Sequence, residues 1–229
     1  MVIFDPQANV QQMIGATRSL VEHFAQSGIV LSVQPVANVE TFNTVVKESE
    51  LALVADSYGS RREYKLSPLF VASRSGKTSY QQRFYAGPKA EQELTTVAMV
   101  VPTEELESAR AALRGIAGKQ LAKRWRIIRV PKDIDALLAV AFGQVDACVA
   151  SETGVQVLTQ INPGAIQALK ELGRLEPTPL PSLCAREGLS REKIAAVRQA
   201  VEGLTNSKPG RQAMAQLGFD GWVKKGGRR

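Results

Sequence analysis

The stretch that most limits what this chain can fold into runs from Arg129 to Leu158, RVPKDIDALLAVAFGQVDACVASETGVQVL. It spells strand end, helix, strand, helix. Ile127, Ile128 and Val130 close a β-branched run, and Pro131 breaks it. Asp133 stands where a helix cap belongs, and Ile134, Leu137, Leu138, Ala141 and Phe142 then recur at helical spacing. Gly143 suits the end of that helix. Val145 to Ala150 is nearly all apolar, the composition of a strand covered on both faces. Ser151 to Thr153 makes a polar corner before the next helix. In open sheets built from such units, ligands bind beyond the carboxyl ends of the strands, beside helix N-termini. Lys132, Ser151, Glu152 and Thr153 are therefore the residues expected nearest to anything this region binds.

The opening of the chain has the same pattern. Val2 to Phe4 is a short strand, and Asp5-Pro6-Gln7 turns into a helix. Val10, Met13, Ile14, Leu20, Val21 and Phe24 form its apolar stripe, and Gly28 ends it. Ile29 to Val36 reads as a strand. Asn38 caps a second helix reaching about Glu48, with Val39, Phe42, Val45 and Val46 inward, and Leu51 to Ala55 is a third strand. Three strands joined by two helices make a parallel, doubly wound half-domain. Its strand ends offer Asp5 and Gln7 at one place and Asp56, Ser57 and Tyr58 at another. Asp and Ser are also ordinary turn formers, whereas a tyrosine there supplies a ring face and a hydroxyl.

Residues 66–86 read as a β-hairpin, with Leu69 to Ser73 as one arm, Tyr80 to Tyr85 as the other, and the turn at Arg74-Ser75-Gly76-Lys77. The Ser-Gly-Lys-Thr within it is not a phosphate loop, which needs two glycines at fixed spacing and a helix directly after. Pro88 to Glu93 is a polar loop. Thr95 to Val101 is a strand, and Pro102-Thr103 lead into a helix, Glu104 to Ile116, with Leu106, Ala109, Leu113 and Ile116 inward. Thr103 joins the candidate ligand contacts. Lys123 to Val130 is a strand whose arginines flank Trp125, Ile127 and Ile128, so one face or edge of it is solvated. Asn162-Pro163-Gly164 and Gly173 interrupt the segment after Thr153, and Leu175 to Pro181 is extended. Leu183 to Arg186 is a returning strand. Ser190 caps a helix with Ile194, Val197, Val201 and Leu204 inward. A turn, Asn206 to Pro209, and a short helix, Arg211 to Leu217, complete the chain; Gly218 caps that helix, and Phe219 and Trp222 pack after it.

Composition excludes several classes of function. The chain has 229 residues, 44% hydrophobic and 22% charged, ample for a real core. No run approaches the ~20 apolar residues of a membrane span. The formal charge is +7, and Lys224, Lys225, Arg228 and Arg229 supply four of those charges from a solvated tail. The body is only mildly basic, which argues against a nucleic-acid face. Cys148 and Cys184 match no metal spacing and lie in apolar strands, the usual place of a buried thiol. The single histidine, His23, is expected at a surface or boundary and cannot build a zinc site or a Cys-His pair unaided. No metal and no cofactor are expected.

Two segments carry a family resemblance. DALLAVAFGQVDACVAS, residues 135–151, is similar to the part of periplasmic solute-binding proteins where a helix runs down to G-x-V-D-A and a strand follows. Residues 177–223, PTPLPSLCAREGLSREKIAAVRQAVEGLTNSKPGRQAMAQLGFDGWV, resemble the return segment and closing helices of the phosphate- and phosphonate-binding branch. The order of pieces agrees over nearly the whole chain. The resemblance implies an α/β, two-lobed periplasmic-binding-protein type 2 fold, each lobe a mostly parallel sheet flanked by helices. Lobe 1 would span residues 1–86, with a hinge hairpin at 66–86, lobe 2 residues 87–174, and residues 175–229 would return to complete lobe 1. It implies the solute-binding component of an ABC-type transport system. Such a protein captures a small polar ligand between its lobes by hinge closure, and a membrane permease recognises the closed form. It implies a monomer in the periplasm or another extracytoplasmic place, the chain starting after a removed leader or lipid anchor. Asp5, Gln7, Asp56, Ser57, Tyr58, Thr103, Lys132, Ser151, Glu152 and Thr153 are the expected ligand contacts.

One departure bears on the ligand. Phosphate and phosphonate binders present a loop rich in serine, threonine and glycine at the first helix of the second lobe. Here that place reads Val101-Pro102-Thr103-Glu104-Glu105. Only Thr103 offers a hydroxyl, and the two glutamates repel a phosphate while suiting the helix dipole. Lys132 compensates for part of this, and Glu152 suits an ammonium or a hydroxyl. A phosphonate, an amino-phosphonate or another polar solute all fit. Two other classes remain. An enzyme on this fold would need a base, a nucleophile and an orienting group within reach, and the chain shows only the carboxylates Asp56 and Glu152. A ligand-sensing effector domain of a receptor or regulator would share the fold and be fused to an output module.

Overall fold

Alternation along the strands decides the architecture. Val2 to Phe4 (β1) and Leu51 to Val54 (β3) send successive side chains to opposite sides, and every one of them is buried. Such strands need cover on both faces. The structure, a computed structural model, describes residues 1–5, 10–55, 59, 62–87, 94–101, 106–117 and 125–225. The chain divides into two compact units, residues 1–79 with 179–229, and residues 80–178.

The first unit is built on a six-stranded sheet. Gln34–Val36 (β2), β1 and β3 run parallel. Ser182–Arg186 (β12), Leu66–Ser73 (β4) and Gly221–Lys224 (β13) extend the sheet antiparallel, in the order β13-β4-β12-β3-β1-β2. Ile3 and Leu53 face the helices Val10–Gln26 (α1), Arg191–Glu202 (α7) and Lys208–Leu217 (α8), through Met13, Leu20, Phe24, Val197, Val201 and Met214. Val2, Phe4, Ala52 and Val54 face the other way, onto Val39–Val45 (α2) and Tyr64. Phe4 stacks on Phe42 with centroids 4.5 Å apart, and Tyr64 meets Phe42 edge-on. Asn38 caps α2 by accepting from the Thr41 N–H at 3.1 Å, as its position in the sequence implies.

The second unit holds a five-stranded sheet of Gln82–Ala86 (β6), Thr96–Met99 (β7), Arg126–Arg129 (β8), Ala147–Ser151 (β9) and Lys170–Arg174 (β10), in the order β10-β6-β9-β7-β8. β7, β8 and β9 are parallel; β6 and β10 are antiparallel additions. Phe84, Val97, Met99 and Val149 cover one face with Leu106–Ala117 (α3) and Trp125, whose ring stacks on Phe84 at 5.2 Å. Tyr85, Ala98, Cys148 and Ala150 cover the other with Asp133–Ala141 (α4), Glu152–Ile161 (α5) and Pro163–Gln167 (α6). β9 is buried throughout, as its composition implies, and β8 is a half-exposed edge.

Several expectations change. The sheets are mixed rather than mostly parallel, because each three-stranded parallel group is extended by strands that need no crossover. The arms of the expected 66–86 hairpin do not pair with each other. Both edges of β4 are taken by β12 and β13, and both edges of β6 by β9 and β10. The chain passes between units at Ser79–Tyr80 (β5) and Thr178–Pro179 (β11), two short strands that pair where they cross, rather than after 86 and 174. The Leu175 N–H, for example, still bonds Gln82 O at 3.0 Å within the second unit. Of the strand expected at 29–36 only three residues pair, since β1 offers just three partners; Val30 is fully exposed. Ile14 and Phe142, expected inward, are 43% and 67% exposed. Lys224 is no frayed tail but part of β13, 2.7 Å from Glu202. Ser75 and Gly76 form a left-handed turn followed by a strand, and the Ser75 N–H is held by Asp220.

His23 is the largest reversal. It is 3% exposed, with Nε2 2.7 Å from Ala200 O and Nδ1 2.6 Å from Ser207 Oγ. A carbonyl only accepts, so Nε2 carries the proton. In that tautomer Nδ1 accepts from the Ser207 hydroxyl, whose oxygen accepts from the Gly210 N–H at 2.9 Å and so caps α8. One ring thereby ties α1 to α7 and α8. We expect His23→Leu to lower stability by about 2–4 kcal/mol, because two buried polar partners are orphaned. Urea unfolding with an unchanged midpoint would refute this.

Asp146, the aspartate of the G-x-V-D-A segment, locks the start of the second sheet. Its Oδ2 accepts from the N–H and hydroxyl of both Thr95 and Thr96, at 2.8–2.9 Å. Desolvation pushes this carboxyl up, but the four bonds outweigh it and hold it below its ordinary range. A lowered carboxyl stabilises above its unfolded pKa, and the contribution fades as pH falls through the folded value. Asp146→Asn is expected to cost about 1–3 kcal/mol at neutral pH and to flatten the loss of stability below about pH 4. Chemical denaturation between pH 7 and pH 2.5 measures both.

Candidate functional site

The carboxyl end of β9 and the start of α5 form a tightly bonded corner. Ser151 is extended and caps α5, its Oγ accepting from the Gly154 N–H at 3.1 Å. Its hydroxyl donates to Asp133 Oδ2, and its own N–H reaches the same oxygen at 2.9 Å. Asp133 is therefore not the cap of α4 but its first residue. Lys132 holds the cap position, with no side-chain capping bond. Gly154 makes the junction possible, since a Cβ there would stand 2.5 Å from Asp133 Cβ.

Glu152, the first residue of α5, is paired with Arg83 of β6. Arg83 also holds Glu171 of β10 at 2.7 Å, and Glu171 holds Arg174 of the same strand at 2.8 Å. The bonds to Glu152, then to Glu171, raise the guanidinium pKa further; those from Arg174, then Arg83, hold Glu171 below the usual carboxylate range. The Cys148 thiol, buried in β9, is pushed up by desolvation and then by the charge of Asp133. Neither Cys148 nor Cys184 forms a disulfide.

The candidate residues fall into three groups. Lys132, Ser151, Glu152 and Thr153 come together at this corner, because Asp133 joins the loop after β8 to the end of β9. Lys132 and Thr153 are exposed there, whereas Ser151 is 8% exposed with its hydroxyl committed. Asp5 follows β1 in the first unit, half-buried, with its N–H on Val36 O at 3.3 Å. Gln7, Asp56, Ser57, Tyr58 and Thr103 lie outside the described residues. The corner presents an ammonium and a hydroxyl beside two helix N-termini, a set that suits an anion; the carboxylates of Asp133 and Glu152 are turned to structural bonds. Among the described residues, no group of three acidic, cysteine or histidine side chains converges on a metal position, and no helix is long and apolar enough to cross a membrane.

Sequence reasoning missed Arg83 and the role of Asp133. The signal for Asp133 was its place in a first helical turn with Ser-Glu-Thr-Gly one strand later, but pairing the two needs the register of β9. Arg83 needed the antiparallel register that sets Gln82 opposite Ser151.

The family model for the periplasmic substrate-binding protein of phosphonate ABC transporters matches residues 60–225. Among solved structures, a binding protein component of an ABC phosphonate transporter from Pseudomonas aeruginosa is similar, with TM-score 0.72 and 14% identity over 98% of this chain and 80% of that one. PhnD1 from Prochlorococcus marinus, in complex with methylphosphonate, gives TM-score 0.73 and 13% identity over 98% and 91%. A protein of Xanthomonas citri bound to ATP gives 0.75 and 12% over 99% and 91%. At these identities the likeness shows a shared periplasmic-binding-protein fold. No curated protein sequence matches the chain.

Gly154→Ala tests the corner. Its Cβ has no room against Asp133, so the start of α5 must shift; a loss of about 1–3 kcal/mol is expected. An unchanged urea midpoint would mean that the junction is looser than described.

Proposed function

This chain belongs to the family of phosphonate-type periplasmic substrate-binding proteins of ABC transporters, and on that footing we propose that it captures a small phosphonate-like oxyanion or zwitterion outside the cytoplasm and delivers it to a membrane permease. The ligand lies between the two units, which act as lobes and close over it about the crossings near residues 79–80 and 178–179, each protein molecule working as a monomer. No bond is made or broken.

The observation that carries this reading is the corner at the carboxyl end of β9. Its carboxylates are engaged in structural bonds, and Lys132 is exposed at the start of α4. In this reading Lys132 supplies the charge for the oxyanion, and Thr153 a hydroxyl. Ser151 and Glu152 hold the loop in place, through Asp133 and Arg83. Thr103 contributes from the second unit, and Asp5, Gln7, Asp56, Ser57 and Tyr58 close the site from the first. The bound methylphosphonate of the Prochlorococcus relative is the model for the ligand class.

Thermal shift and calorimetry with methylphosphonate, inorganic phosphate and 2-aminoethylphosphonate test the proposal. A true ligand at ~100 times its Kd stabilises by roughly 2.7 kcal/mol. Lys132→Ala is expected to weaken it about tenfold, the loss of one charge-assisted bond. A fall in the radius of gyration on binding reports closure. If none of these compounds shifts the melting temperature, or if nucleic acid alone does, the reading fails.

A further inference from the structure

At the carboxyl ends of β1 and β3 the first unit contains a cavity of about 250 Å3. That rim is where open α/β sheets bind their ligands. Ile3, Met13, Leu53 and Phe219 line the cavity with hydrocarbon. The same four side chains belong to the packed core under α1 and α8, so this wall keeps its shape. An apolar cavity of about 150 Å3 already accommodates a benzene ring, so this one has room for a group of about six carbons.

The polar groups around it are largely committed. Gln216 Oε1 is buried and shut off from the cavity. The Gln216 amide packs against α1, where a Cβ at Gly15 would stand 2.7 Å from Nε2. The Gly218 carbonyl, at the end of α8, accepts from Arg74 Nε at 2.6 Å. The cavity therefore offers a ligand mainly hydrocarbon. Asp5 belongs both to its wall and to the candidate ligand contacts, so cavity and candidate site meet at the end of β1. Burying an unpaired anion against hydrocarbon is costly, so a phosphonate enters such a space by its organic substituent and not by its head.

We propose that the ligand is an organophosphonate whose substituent, of about four to six carbons, fills this cavity against Ile3, Met13, Leu53 and Phe219. The inference rests on the phosphonate reading above and narrows its substrate class. The oxyanion stays with the donors named there, and Asp5 marks the passage from head to substituent.

Calorimetry and NMR of the full chain with methylphosphonate, n-butylphosphonate and phenylphosphonate test it. Each buried methylene is worth about fourfold in affinity. The two larger compounds are expected to bind at least about tenfold more tightly than methylphosphonate. Their binding also carries a more negative heat-capacity change, the mark of apolar burial. The phenyl ring is expected to move the methyl resonances of Ile3, Met13 and Leu53 more than methylphosphonate does. Ala215→Leu narrows the cavity from an exposed position of α8. It should bring n-butylphosphonate and methylphosphonate to within about threefold of each other. Equal or weaker binding of the larger compounds, or no effect at those methyls, would overturn the inference and leave the phosphonate reading in place. An unchanged affinity ratio in a folded Ala215→Leu protein would do the same. If none of the three compounds binds, the phosphonate reading fails and this inference fails with it. The wild-type series decides the matter even if the variant does not fold.

Discussion

A strand covered on both faces has nowhere to put a polar side chain except at its ends. β3 and β9 are such strands, buried from first residue to last. Everything chemical in this protein is displaced by that constraint to the two rims of each sheet. In the second unit the two rims have different tasks. At the amino rim the Asp146 carboxylate gathers two adjacent threonines and fastens β7 to the segment entering β9. At the carboxyl rim Ser151 and Asp133 fasten the helices that begin there. A polar residue at the end of a buried strand is thus often a fastener, and a binding group only if bonds remain to be made.

That distinction changes how the corner at residues 151–154 works. Ser151, Glu152 and Asp133 are the residue types expected to touch a ligand, yet their atoms are largely engaged with Gly154, Arg83 and one another. The ion pairs of Arg83, Glu152, Glu171 and Arg174 are partly solvated, so they serve more to set geometry than to add stability. With Glu152 matched to Arg83, Lys132 is a cation left exposed at the start of α4.

Much of this fold was legible in the sequence because period and punctuation are local. The βαβα reading of residues 129–158, the caps Asn38, Ser151 and Ser190, and the left-handed Gly218 all depend on neighbours a few residues away. What failed was non-local. A strand pattern does not say which partner it will find, so residues 66–86 looked like a hairpin although each arm joins a different sheet. His23 looked peripheral because its partners, Ala200 and Ser207, lie far along the chain. At the corner, the residue types were right and their engagement was hidden. Arg83 becomes Glu152's partner only once β6 and β9 are in register.

The order of strands in the first sheet has a consequence for biogenesis. β12 lies between β3 and β4, so the middle of that sheet is missing until residues 182–186 have left the ribosome. Residues 80–178, by contrast, carry every strand of their own sheet. The inserted unit is therefore complete in covalent terms while its host still displays one unpaired edge of β3 and both edges of β4. Until residues 182–186 are available those edges can pair with other chains, and the last quarter of the polypeptide is the part that closes the gap.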